Sequence, residues 1–152
     1  NIKYFMGNSE NVLKRFYLCN KKFKFSNIVR LTADNPFVNI DYLKKLINFH
    51  INSKYDYSST MKNLPVGMGS EIFTSKALEI SYLKAKKKEQ LEHANEYILQ
   101  NPKKFKIKNL ILSSTLKKNL NFSIDTKDDY ELLKNKFKKH GYNFSKYYKG
   151  YK

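Results

Sequence analysis

The chain changes hydrophobic period repeatedly along its length, and that alternation constrains its fold more than any other feature. "SENVLKRFYLCNKK" (9–22) places Val12, Leu13, Phe16, Tyr17 and Cys19 at helical spacing, with polar Ser9 and Glu10 in front as a cap. The short apolar run "NIVRLT" (27–32) follows as a strand, with Arg30 near its end. Helical spacing returns in "NIDYLKKLINFHINS" (39–53), where Ile40, Leu43, Leu46, Ile47 and either His50 or Ile51 line one face behind Asn39. "YDYSST" (55–60) and "EIFT" (71–74) read as strands around "MKNLPVGMGS" (61–70), a loop holding two of the five glycines. "SKALEISYLKAKKK" (75–88), with Ala77, Leu78, Ile80 and Leu83 inward, and "EQLEHANEYILQN" (89–101) read as helices, the second stopped by Pro102. "KFKIKNLIL" (104–112) alternates as a strand with one wet face, "LNFSID" (120–125) is a further strand, and "TKDDYELLKNKFKKHG" (126–141) a capped helix ended by Gly141.

Strands alternating with helices predict an α/β layered sheet. Open sheets of this class hold ligands beyond the carboxyl ends of their strands, and aspartates stand at two such places: Asp34 and Asp125. Each has a plain structural explanation. Asp34 precedes Asn35-Pro36, which is good turn chemistry, and Asp125 stands at a helix entry where Thr126, Asp128 and Asp129 compete to cap. Together, two carboxylates at strand ends of one sheet suit Mg²⁺, which takes one or two protein carboxylates and completes its shell with water and substrate phosphates.

The 152 residues suit one domain, and 41% apolar residues supply one core. No apolar window approaches the roughly 18 residues of a membrane span, and "NIKYFMGNSE" lacks a secretion signal's layout, so the reading is cytoplasmic. A lone Cys19 excludes internal disulfides and multi-cysteine zinc sites and reads as a half-buried hydrophobe. The net charge of +17 suggests a polyanion partner, yet only Arg15 and Arg30 among 30 basic residues are the arginines that read phosphates and bases best. Nucleic acid is therefore disfavoured as the main partner. His50 reads as a packed core or boundary residue and His140 as a helix-end cation.

Five segments, "RLTADNPFVNIDYLKKLI", "YDYSST", "GMGSEIFTSKALEIS", "EHANEYI" and "NFSIDTKDDYELL", stand in the order found in one enzyme family. From about Lys3 to Phe137 the chain resembles cytidylyltransferases of the spore-coat polysaccharide type, relatives of the enzymes that make CMP-KDO and CMP-sialic acids. The resemblance implies a Rossmann-like nucleotidyltransferase domain, a three-layer α/β sandwich, that joins CTP to a sugar acid and releases pyrophosphate. It implies that Asp34 and Asp125 hold the catalytic Mg²⁺, with Arg30 and Thr32 supporting them, and that Glu71, Glu92 and His93 line the sugar pocket. It also implies a homodimer.

The chain departs from the family pattern at Ala33, Gly69, Leu91 and Lys127, where relatives carry glycine, an acidic residue, arginine and proline, and these changes bear on sugar specificity. Family members carry a phosphate-cradling glycine loop upstream of the segment that Asn1 matches; Gly7 in "FMGNSEN" has no companion glycines and reads as a turn. The chain therefore looks like the carboxyl-terminal part of a longer enzyme: a partial domain over 1–141 and a basic aromatic tail over 142–152, marginally stable or self-associating when alone. Two other readings stay open, a non-catalytic module of the same fold and a basic nucleic-acid-binding domain.

Overall fold

A computed structural model describes residues 2–112 and 120–141, and the aromatic tail lies outside the described residues. The elements run α1 Val12–Phe23, β1 Asn27–Arg30, α2 Ile40–Ser53, β2 Tyr57–Ser59, β3 Glu71–Thr74, α3 Ser75–Lys84, α4 Lys88–Glu92, α5 Glu96–Gln100, β4 Ile107–Asn109 and α6 Lys127–His140. The four strands make one sheet in the order β1-β3-β2-β4. Between β2 and β3, Thr74 N–H donates to the Asp56 carbonyl and Thr60 N–H to that of Ser70, both at 3.0 Å, so one index rises as the other falls and the pair is antiparallel. Between β2 and β4 both indices rise, from Tyr57 with Lys106 to Leu110 with Ser59, so that pair is parallel. The result is a mixed α/β sheet.

The chain forms two compact units, one of Asn1–Val29, Phe49–Ser58 and Ile72–Lys108, the other of Arg30–Asn48, Ser59–Glu71 and Asn109–Lys152. In the first, Leu13 of α1, Phe73 of β3, Ala77 and Leu78 of α3, Ala94, Ile98 of α5 and Phe105 are buried together. The cap of α1 is Asn11 rather than Ser9: its side chain accepts from Lys14 N–H at 2.8 Å, and Lys24 closes the helix in the left-handed conformation at φ 57°. Thr74 caps α3 through Ala77 N–H. That helix ends at Lys84 instead of running to Lys88, and its fourth inward position is Ser81, whose hydroxyl donates to the Ala77 carbonyl at 2.8 Å, while Leu83 is 66% exposed. The predicted helix over 89–101 is two helices, because His93 adopts an extended conformation that ends α4 while its carbonyl accepts from Glu96 N–H to begin α5.

On α2 the first unit takes His50 inward and leaves Ile51 57% exposed. The buried imidazole holds Nδ1 2.9 Å from Ser58 Oγ, and its Nε2 has no hydrogen-bond partner among the described residues. Burial pushes its pKa below the ordinary 6.5, with the Asp56 charge opposing.

In the second unit Phe37, Leu64, Met68, Phe122 and Leu133 form a core. Asn39 caps α2 by accepting from Asp41 and Tyr42 N–H at 3.0 Å. Segment 120–125 is not a continuous strand. Among the described residues its only ladder is a parallel bridge between Asn121 and Val66, because successive donors go to different segments: Phe122 N–H to the Val66 carbonyl and Ile124 N–H to that of Asp34, both at 2.8 Å. Gly67 permits the first of these approaches. It has φ +81°, and a Cβ there would stand 2.4 Å from the Phe122 carbonyl carbon. No described helix is long and apolar enough to cross a membrane.

Two outcomes are expected. Gly67→Ala should destabilise the protein by about 2 kcal/mol or more in urea unfolding, since both strain and overlap act there, and a wild-type midpoint would overturn this assignment. His50 is the second case. Its folded pKa is depressed, so its contribution is complete above the unfolded value of 6.5 and is lost as pH falls through the folded value. Stability should drop between about pH 7.5 and 5.5, and by less in His50→Gln; equal drops in both proteins would refute the role.

Candidate active site

The second unit gathers most of the predicted site residues. The last residue of β1 is Arg30, whose Nη1 donates to Glu71 Oε1 at 2.7 Å, with side chains 19% and 2% exposed. Glu71 is thus a buried counter-ion of Arg30. A carboxylate removed from water this far needs a cationic or hydrogen-bonding partner, and the fork of arginine provides a short, charge-assisted one.

Past β1 the chain turns back at once. Asn35 N–H donates to the Thr32 carbonyl at 3.1 Å and Asn35 Nδ2 to Thr32 Oγ1 at 2.6 Å, which closes a turn with Ala33 and Asp34 in the middle. The turn chemistry read from the sequence is therefore present, and Thr32 serves it. Asp34 sits exposed within the turn while its carbonyl accepts from Ile124 N–H at 2.8 Å. This backbone bond sets Asp34 beside the segment that ends in Asp125.

Asp125 is also exposed, and the capping it competed for belongs to other groups. Thr126 Oγ1 accepts from Asp129 N–H at 3.2 Å, and Asp129 Oδ2 accepts from Asp125 N–H, Thr126 N–H and the Thr126 hydroxyl at 3.2, 2.9 and 2.7 Å. The Thr126 hydroxyl is the main reason that the Asp129 carboxyl lies below its ordinary range. Neither Asp34 nor Asp125 forms an ion pair among the described residues.

This donor set fits a hard divalent cation of the magnesium kind. Among the described residues no three His, Cys, Asp or Glu side chains cluster as a metal cage. Magnesium does not require one: two carboxylates on adjacent segments leave the remaining octahedral positions to water and phosphate.

Glu92 and His93 belong to the first unit. Glu92 ends α4 and lies 3.6 Å from Lys88, and His93 is exposed at the break between α4 and α5. One residue escaped the sequence reading. Asn35, beside Asp34, has a buried Oδ1 without a partner among the described residues, and the signal available was an Asn fixed before Pro36 in an otherwise polar turn.

A family model described as cytidylyltransferase matches residues 2–149. An uncharacterized protein of Methanocaldococcus jannaschii is 39% identical over 132 residues, 86% of this chain and 54% of that protein. The spore coat polysaccharide biosynthesis protein SpsF of Bacillus subtilis is 33% identical over 141 residues, 91% of this chain and 58% of its own length. The structure of a cytidylyltransferase from Leptospira borgpetersenii serovar Hardjo-bovis superposes with a TM-score of 0.82 at 25% identity, covering 89% of this chain and 58% of that one. The chain thus spans little more than half the length of these relatives. Over that span, the order of its motifs, its mixed sheet and the matching family model agree: the chain belongs to the cytidylyltransferase family.

Proposed function

We propose that the protein transfers CMP from CTP to a sugar acid of the KDO or sialic-acid kind, in the cytoplasm, for surface polysaccharide synthesis. Family membership supports nucleotidyl transfer, and the kinship with a spore coat polysaccharide protein supports the sugar. The observation that carries the site assignment is the backbone bond from Ile124 to Asp34, which joins the segments of two exposed carboxylates that have no ion pair among the described residues.

Asp34 and Asp125 would hold Mg²⁺. Bound there, the ion would neutralise triphosphate charge and favour pyrophosphate as a leaving group. The chain's own residues orient the reactants. The Thr32–Asn35 turn holds Asp34 in place, and the Thr126–Asp129 capping box fixes the backbone at Asp125 while leaving its carboxylate free of capping work. Arg30, held by Glu71, keeps further N–H donors for a substrate carboxylate or phosphate. Glu92 and His93 are proposed sugar-pocket residues. In the reaction the sugar hydroxyl oxygen bonds to the α-phosphorus as the α–β phosphoanhydride breaks in line, and the hydroxyl proton leaves to solvent or base. A homodimer is the proposed assembly.

Pyrophosphate release by the full-length protein with CTP, Mg²⁺ and a panel of sugar acids tests the reading. Asp125→Asn should lower turnover by about 10³-fold or more while preserving the fold, as loss of a group that stabilises transition-state charge does. Mg²⁺ titration of the same variant should show weakened ion binding. Wild-type turnover in Asp125→Asn would exclude the assigned site, and silence of the native enzyme toward every sugar acid would exclude the substrate class.

A further inference from the structure

The first unit carries a second polar concavity, remote in sequence from Asp34 and Asp125. It is a cleft of about 540 Å³ lined by Lys84 at the end of α3, Lys86 and Lys87 before α4, and Lys104 after α5, with Gln90 and Tyr97 between them. Four lysines therefore line one hollow, and no carboxylate lines it among the described residues.

The frame beneath these lysines is built rather than loose. Gln90 is only 6% exposed. Its Oε1 accepts from the backbone N–H of Lys86 and Lys87 at 3.0 and 3.2 Å, and its Nε2 donates to Gln100 Oε1 at 2.6 Å. The backbone that presents two of the cations is thus clamped by one buried amide. Lys104 is held as well: its Nζ lies 3.3 Å from the Tyr97 hydroxyl and 5.7 Å from the centre of that ring. The nearby carboxylates are already engaged, since Gln100 Nε2 donates to Glu89 and Glu96, and Glu89 stands 3.9 Å from Lys87.

Like charges gathered in a concavity repel one another, and a multivalent anion relieves that repulsion while each lysine loses little freedom. Lysine suits this role as a point charge, where bidentate base or peptide readout would favour arginine. We infer that the Lys84–Lys86–Lys87–Lys104 cleft is a binding site for a compact oligophosphate anion. Its size suits a small ligand: an extended nucleic acid would call for basic residues in a long stripe. The inference goes beyond the proposed nucleotidyl transfer, because it uses none of that site's residues.

Calorimetric titration of the full-length protein with inorganic tripolyphosphate tests it. Saturable binding that weakens with added salt is expected, reduced about tenfold in Lys86→Gln/Lys104→Gln. A charge-matched control, Lys138→Gln/Lys139→Gln on α6, should bind within about twofold of wild type. If CTP displaces the tripolyphosphate and the cleft variant abolishes that competition, the oligophosphate is the nucleotide's own; without displacement it is a free oligophosphate, and both results support the site. Equal losses in cleft and control variants would reduce the effect to net charge and overturn it. So would tighter binding of a single-stranded oligonucleotide through the same lysines, which would make the surface a nucleic-acid face.

Discussion

A carboxylate at 1% exposure has lost its hydration and needs a partner to offset that loss, and Glu71 has one in Arg30. The pair joins the last residue of β1 to the first of β3, the neighbouring strands at one edge of the sheet. A register slip of one residue would turn these side chains to opposite faces and strand a buried charge, so the pairing is specified electrostatically as well as by apolar packing. The chain leaves β1 directly after Arg30 and turns at Thr32–Asn35, so the position of Asp34 is inherited from that anchored strand end.

Among the described residues Asp41, Glu71, Glu79, Glu89, Glu92 and Glu131 stand in ion pairs with lysine or arginine. Asp34 and Asp125 form none among the described residues, and they stand one residue apart across a backbone hydrogen bond. The capping work at the start of α6 is absorbed by Thr126 and Asp129. Two exposed carboxylates on segments joined by a backbone hydrogen bond offer hard oxygen donors of the kind a divalent ion takes.

A lysine exposed on a helix face contributes little through a solvated ion pair. The cluster around Gln90 differs because a buried amide holds two consecutive backbone N–H groups, so cations from the α3–α4 connection share one hollow with Lys104. Composition explains why the surface is basic; the hydrogen bonds of one glutamine explain why it is basic in that place.

Periodicity and capping chemistry by themselves determined the element order, since α1, α2, α3 and α6 carry local apolar stripes and stop signals that need no distant partner. They also located the turn at Asp34 and the helix entry after Asp125, because Asn-Pro and Thr-x-x-Asp act within a few residues. Tertiary structure decided the rest. His50 rather than Ile51 faces inward, where its ring meets Ser58 on another element. Segment 120–125 alternates like a strand, yet its donors are divided between Val66 and Asp34, and no local pattern reveals a partner so distant in sequence. The pairing of Glu71 with Arg30 and the juxtaposition of the two aspartates were settled in the same way, by long-range backbone bonds that carry no signature in the sequence beside them.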